Sequence, residues 1–320
     1  MILCLHNINP HKMTRRLCQL EALLKEGAAV ICERLGRASR RFNKGPRDFA
    51  LQTDRDVEQL YAKRLNQLYP DIPVVGEELS PHQASARLPA RFLALDPIDG
   101  TVNYSRSLPE FATSIALVEN GTASLSGMYF PVLGEMYLAE SGGGAWCNKT
   151  KLRVSTTNHI NDAIVAVGDF SVADNDVGKN ALRYELMKVL GDHALRVRMP
   201  GTAALQLAWL AAGRIDSSIT LSNISWDVQA GVLMVREAGG KVFDGDGTAH
   251  TSLSQYTLGT NSRLKPIILS ALAEAEGINT TSIVRNGPIH NYHVGHTVTG
   301  GHRHRDCRPK NTDRAFSTEL

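Results

Sequence analysis

Asp96-Pro97-Ile98-Asp99-Gly100-Thr101 puts two carboxylates and a hydroxyl within six residues, directly after the apolar run Phe92 to Leu95. A short apolar run of this kind forms an interior strand, and acids at its end are costly unless a cation pairs with them. Pro97 and Gly100 predict that the chain turns here. The acids then stand at the carboxyl end of a strand, where open α/β sheets place ligands. Hard oxygen donors suit Mg²⁺ or Mn²⁺, and Gly100-Thr101 offers backbone N–H groups and a hydroxyl to a phosphate. Taken alone, the stretch fits a solvated acidic loop about equally well.

Two more acidic islands weigh against the loop. Val74-Val75-Gly76-Glu77-Glu78 is again a β-branched run ending in acids, and Ser225-Trp226-Asp227 places an acid just before a helix-like segment, Val228 to Ala238. Three acidic element ends in one chain suggest a single metal centre. The order Gly76-Glu77-Glu78, then Asp96 to Asn103, then Trp226-Asp227 resembles the inositol monophosphatase-like family of Mg²⁺-dependent, lithium-sensitive phosphatases, whose pattern is G-E-E, D-P-[IL]-D-G-T-x-N and W-D. Asp48 to Glu58 is similar to that family's D-L-V-T-x-x-D-x-x-V-E, with Leu51 where the family has Thr. Gly201-Thr202-Ala203-Ala204 resembles its G-[ST]-A-A, and Glu237 to Gly240 its E-A-G-G. Each short motif is weak evidence, but their joint order and spacing over residues 14 to 276 is strong.

The resemblance implies an α/β (α+β layered) fold, an αβαβα sandwich. Its α+β half would span residues 13 to 192 and carry most metal ligands, and an α/β half, 193 to 276, would complete the site. It further implies one Mg²⁺ on Glu77, Asp96 and the carbonyl of Ile98, and a second on Asp96, Asp99 and Asp227, with Asp96 bridging and a third, weaker ion near Glu77. Asp54, Glu77 and Thr101 form the implied catalytic set: Thr101 positions and deprotonates the attacking water, Asp54 orients Thr101, and no covalent phosphoenzyme forms. Asp54 also fits an acid capping its helix, and the two roles are compatible. Gly100 and Thr101 would hold phosphate, while Asp99, Gly201, Thr202, Ala203 and Thr220 would face the substrate. Uncatalysed phosphate monoester hydrolysis is extremely slow, and metal ions both activate water and clamp phosphate oxygens.

The family's inositol-preferring members carry an acid seven residues before the W-D aspartate, where this chain has Thr220. The implied substrate is therefore a small polyol or sugar phosphate, with a 3'(2'),5'-bisphosphate nucleotide or histidinol phosphate as alternatives. A regulatory binding protein on a phosphatase fold is the non-enzymatic alternative, against which the complete ligand set argues. Trp226 reads as a wall residue, Glu78 as a neighbour of the site or solvent-facing, and His82, His193 and His250 as structural or surface histidines. Arg196, Arg198 and Arg214 carry no assignment.

These residues need a scaffold, and periodicity supplies its outline. Leu17, Leu20, Leu24, Ala28, Ile31 and Leu35 form one helical stripe over about 14 to 36, and Asp54 opens a second helix running to Tyr69. Strands are expected at 114–118, 124–129 and 135–138, broken by Asn120-Gly121 and by 131–134. Gly142-Gly143-Gly144 reads as a turn, since no Lys-Ser/Thr follows it. Further along come a strand at 164–167, helices at 178–190 and 203–212, a strand near 215–220, the Asp227 helix and a last helix over 263–276.

The 320 residues carry a net charge of +3, all of it in residues 277 to 320, where six basic residues face three acids; the remainder holds 29 of each. A neutral body argues against a nucleic-acid partner. No apolar run approaches the ~18–20 residues of a membrane span, and Met1 to Asn9, with a four-residue apolar patch and no basic leader, does not read as a secretory signal; Met13 is a candidate start, which makes the first twelve residues an upstream extension. Five scattered cysteines suggest reduced thiols and a cytoplasmic location. The His- and Arg-containing tail is too poor in apolar residues to fold, and the resemblance is consistent with a homodimer.

Overall fold

A computed structural model describes residues 13–45, 47–80, 88–148, 150–172 and 177–277. The expected N-terminal extension, the polar tail beyond Gly277 and His82 lie outside the described residues.

Helix α1 (Arg15–Arg34) starts where Thr14 Oγ1 accepts the Leu17 N–H at 3.2 Å, and its expected stripe, from Leu17 to Ile31, is buried. A short antiparallel hairpin, β1 (Arg41–Asn43) and β2 (Phe49–Leu51), leads directly into α2 (Gln52–Leu68). Strands β3 (Val74–Gly76), β4 (Arg91–Asp99), β5 (Ala112–Glu119), β6 (Thr122–Phe130), β7 (Glu135–Glu140), β8 (Gly144–Cys147) and β9 (Thr150–Lys151) then form a seven-stranded sheet in sequence order, with the short helix α3 (Thr101–Ser105) between β4 and β5. Only β3 runs parallel to its neighbour; the other pairs in this sheet are antiparallel. Asn120 and Gly121 both have positive φ, which matches the twist that a two-residue hairpin between β5 and β6 needs.

The second sheet has the order β11-β10-β12-β14-β13, built from β10 (Ile164–Val167), β11 (Arg196–Arg198), β12 (Ser217–Thr220), β13 (Lys241–Phe243) and β14 (Thr257–Thr260). Helices α4 (Val177–His193), α5 (Ala203–Ala211), α6 (Ser225–Glu237) and α7 (Lys265–Ala275) connect and flank these strands.

Period-2 alternation assigns each strand face to a layer. On β4, Leu93 and Leu95 pack with α1 and α2, whereas Phe92 and Ala94 pack with α5 and α6. Ala166 of β10 joins the same central cluster as α5 and α6, while its neighbours Val165 and Val167 face α4 and α7. The layer order is therefore helices, seven-stranded sheet, helices, five-stranded sheet, helices: the αβαβα sandwich expected from the sequence.

Two local expectations need correction. Pro97 does not end its strand: β4 continues to Asp99 with a register shift between Asp96 and Asp99, since an irregular ladder tolerates a residue without an N–H. The turn comes at Gly100, where φ is +96° and a Cβ would stand 2.9 Å from the Glu110 carbonyl oxygen. Asp227 lies inside its helix rather than before it, because α6 already begins at Ser225.

Candidate metal centre

β3 and β4 pair in parallel with Gly76 opposite Leu95, so the next residues along, Glu77 and Asp96, emerge side by side. The Glu77 N–H donates to the Leu95 carbonyl at 3.3 Å and holds that register past the end of β3. From the central helical layer, the first turn of α6 brings Asp227 to the same point. One carboxylate oxygen from each of Glu77, Asp96 and Asp227 lies within 4.8 Å of the other two.

Burial pushes the Asp96 and Asp227 carboxyls well above the usual carboxylate range, and repulsion from Glu77 and Asp99 adds to it. Three acids this close, Asp96 buried and Glu77 and Asp227 partly so, are mutually destabilising as anions and form an all-oxygen donor set that a hard divalent cation fits.

Asp99, which the sequence grouped with the second ion, is oriented partly elsewhere. Its Oδ2 accepts from Thr202 Oγ1 at 2.7 Å and from the Ala204 N–H at 2.5 Å, at the start of α5. Burial raises its carboxyl to about 6, and these hydrogen bonds hold it from rising further. The motif at 201–204 thereby locks the end of β4. Asn103 completes the clamp, its Nδ2 donating to the carbonyls of Glu110 at 2.7 Å and Pro200 at 2.9 Å, close under Gly201. Ala203 opens α5 between Thr202 and Ala204.

Thr101 Oγ1 lies 2.9 Å from Asp54 Oδ1 and 3.1 Å from the Ile98 carbonyl, so its single proton serves one acceptor at a time. Asp54 sits in the first turn of α2 and accepts the Leu51 N–H at 3.1 Å through Oδ2. It thus reaches back to cap its helix and holds Thr101 with the same carboxylate. Burial raises its carboxyl to about 7, against the Thr101 hydrogen bond. The Ile98 N–H donates to Asp96 Oδ1 at 2.9 Å, fixing the loop in which Gly100 and Thr101 present the first N–H groups of α3. Thr220, at the end of β12, is buried and its hydroxyl has no hydrogen-bond partner among the described residues.

Sequence reasoning missed Lys44. From the tip of the β1–β2 hairpin its Nζ lies 2.6 Å from Glu77 Oε1 and 2.5 Å from Glu78 Oε1. Burial alone would lower the ammonium, and the two carboxylates outweigh it and push it up. Glu78 is consequently not solvent-facing: its side chain is almost wholly covered and paired with Lys44. Glu58 of α2 was visible only as a motif position; it is buried, accepts the Glu78 N–H at 3.1 Å, and burial raises its carboxyl to about 8. Trp226 is buried in the central cluster, as expected of a wall residue. His250 is buried, with Nε2 2.9 Å from Asn223 Oδ1 and 3.1 Å from Thr257 Oγ1, so it is structural. His193 ends α4; Arg196 and Arg198 donate to carbonyls of their own segment, and Arg214 pairs with Glu135.

The layered αβαβα fold with an oxygen-donor cluster at its strand and helix ends is the architecture of the inositol monophosphatases among solved structures. The inositol monophosphatase family matches residues 12–276, and the chain belongs to that family. It is 30% identical over 230 residues to a Fructose-1,6-bisphosphatase/inositol-1-monophosphatase of Thermotoga maritima, covering 72% of this chain and 84% of that one. It is 37% identical over 201 residues to the Nus factor SuhB of Xylella fastidiosa, covering 63% and 70% respectively. Among solved structures, an IMPase of Thermotoga maritima superimposes with a TM-score of 0.74 at 28% identity, covering 83% of this chain and all of the other. No helix among the described residues is long and apolar enough to cross a membrane.

Proposed function

We propose that the protein is a Mg²⁺-dependent phosphomonoesterase that hydrolyses a small polyol or sugar phosphate. The observation that carries this reading is the convergence of Glu77, Asp96 and Asp227, with the Thr101–Asp54 pair beside them. These three acids, with the Ile98 carbonyl and the remaining oxygen of Asp99, would hold two Mg²⁺ ions and a weaker third near Glu77; Mn²⁺ would substitute. When bound, the metal supplies Lewis-acid clamping of phosphate oxygens and a more acidic water.

The chain's own residues do the rest. Gly100 and Thr101 orient the phosphate through N–H groups at the start of α3. The Thr101 hydroxyl holds the attacking water, passing its own proton toward Asp54, which accepts its hydrogen bond. Asp99, held by Thr202 and Ala204, and the floor at Gly201, Ala203 and Thr220 would receive the alcohol portion of the substrate. A threonine rather than an acid at 220 favours a substrate other than inositol itself.

A second reading follows from the Nus factor SuhB relative: a regulatory protein retaining the fold for partner contacts. Phosphate release with Mg²⁺ separates the two. The screen would cover inositol phosphates, sugar phosphates, histidinol phosphate and adenosine 3',5'-bisphosphate, each with and without chelator. Chelator-sensitive release from a polyol or sugar phosphate is expected. No release from any ester would overturn the enzymatic reading.

A further inference from the structure

Ser114 stands directly across the ladder from Asp96 in the antiparallel pair β4–β5. Residues opposite one another in such a pair point to the same face of the sheet, with Cβ atoms about 4.5–5.5 Å apart. That face looks toward the central helical layer: Phe92 and Ala94 precede Asp96 on β4, Ala112 and Ala116 flank Ser114 on β5, and all four pack with α5 and α6. On the same side Asp96 meets Asp227 from the first turn of α6. Ser114 is only 1% exposed, and its hydroxyl has no hydrogen-bond partner among the described residues.

A buried hydroxyl without a partner costs free energy that an alanine would avoid. Ser126 on β6 is buried and unpartnered on the same sheet face, but it stands opposite Ala116 and Ala139, with no proposed ligand across either ladder. Ser114 differs in having a carboxylate for its neighbour. Among the described residues, Asp96 accepts one hydrogen bond, from the Ile98 N–H to Oδ1 at 2.9 Å. Metal ligands are generally held by an outer hydrogen bond, and removing that bond weakens the ion. A serine hydroxyl swings about a single bond between staggered positions, so it can be re-aimed without moving the backbone.

We infer that Ser114 is a positioning residue of the metal centre: with the ion bound, its hydroxyl donates to the Asp96 carboxylate and fixes the orientation of that ligand. The inference rests on the metal-dependent reading above and adds to it a residue outside the motifs that reveal the ligands. It also gives the hydroxyl opposite effects in two states. Without metal it is a buried donor with nothing to bond, and with metal it makes a charge-assisted hydrogen bond to an ionised carboxylate.

Mn²⁺, titrated without substrate into the full chain freed of chelator and followed by electron paramagnetic resonance, reads the ion site apart from turnover. S114A should raise the Kd for Mn²⁺ about tenfold. Its metal-free melting temperature should equal or exceed that of the parent, since an unsatisfied group has been removed. S126A should bind Mn²⁺ as the parent does. Unchanged Mn²⁺ affinity in S114A would overturn the inference while leaving the metal-dependent reading intact. Equal weakening in S126A would also overturn it, by tracing the effect to packing of the sheet face. A metal-free melting temperature clearly below that of the parent in S114A would do the same, by showing that the hydroxyl is already satisfied without the ion. A parent protein that binds no Mn²⁺ would remove the metal-dependent reading and the role of Ser114 with it.

Discussion

Asp227 is the acid that the central helical layer contributes to the centre, and it separates a metal role from a capping role. It lies within the first turn of α6, whose N-cap is Ile224, and among the described residues its carboxylate accepts no hydrogen bond from the helix backbone. Asp227→Asn should therefore cost little stability, remove one negative charge from the ion site, lower turnover steeply and raise the Mg²⁺ concentration needed for half-maximal rate. Added Mg²⁺ should restore only part of the rate, because the charge also helps hold the phosphate in line. A lowered melting temperature with unchanged Mg²⁺ dependence would point to a cap, a change worth about 1 kcal/mol, and would defeat the metal role. At Thr220 the prediction concerns preference: Thr220→Glu should improve use of inositol monophosphate relative to other esters, as measured by the ratio of kcat/KM values. An unmoved ratio would take Thr220 away from the substrate. Residues of this kind were legible in the sequence because acids at the ends of apolar runs have few other reasons to be there. Lys44 was not legible, since a lone lysine between turn residues looks like any solvated charge until the hairpin delivers it to Glu77.

At the scale of elements, the centre depends on how tightly β3 lies over α2. A Cβ at Gly76 would overlap the Glu58 carboxylate, which itself accepts the Glu78 N–H and so fixes the turn that carries Glu77. Gly76→Ala should force β3 and Glu58 apart, costing about 1–3 kcal/mol as overpacking does. The same displacement moves Glu77, so the Mg²⁺ requirement should rise together with the fall in melting temperature. A loss of stability with an unaltered Mg²⁺ titration would show that β3 adjusts without disturbing the site. Long elements with a clear period, such as α1 and the β5–β6–β7 meander, were readable from the chain. The β1–β2 hairpin and the edge strands β9 and β11 were not: each has only two or three residues, too few for a period to show, and they exist because neighbours complete their ladders. Pro97 misled for a related reason, because the ladder's irregularity at that point absorbs the missing donor.

For the whole molecule, the layering concentrates acids at one place and leaves the metal-free fold to bear their repulsion. None of the proposed ligands falls after Asp227, so a chain ending at Glu276 should fold and retain turnover; a large loss of rate in that truncation would give residues 277–320 a role in the site. The acids also fix how stability depends on pH. Asp99, Asp54 and Glu58 have folded-state values raised to about 6, 7 and 8, and Asp96 and Asp227 lie well above the usual range. Unfolded carboxyls titrate near 4, so between about pH 4 and 8 these five groups hold more protons in the folded protein than in the unfolded chain. Without metal, the stability these groups contribute is complete below about pH 4 and is lost as pH rises through 6 to 8. His250 acts in the opposite sense: burial lowers it to about 4, so its contribution is present above about pH 6.5 and is lost as pH falls. Among the described residues its ring bonds to Asn223 and Thr257 and to none of the proposed metal ligands, so it titrates alike with and without metal and cancels in the difference. Bound Mg²⁺ neutralises the carboxylates, and the rise in melting temperature that it produces over a chelator-treated sample should widen steadily from pH 5 to pH 8. Thermal unfolding in both conditions at one-unit pH steps measures that gap. A gap that stays constant across the range would mean that Mg²⁺ does not bind at these carboxylates.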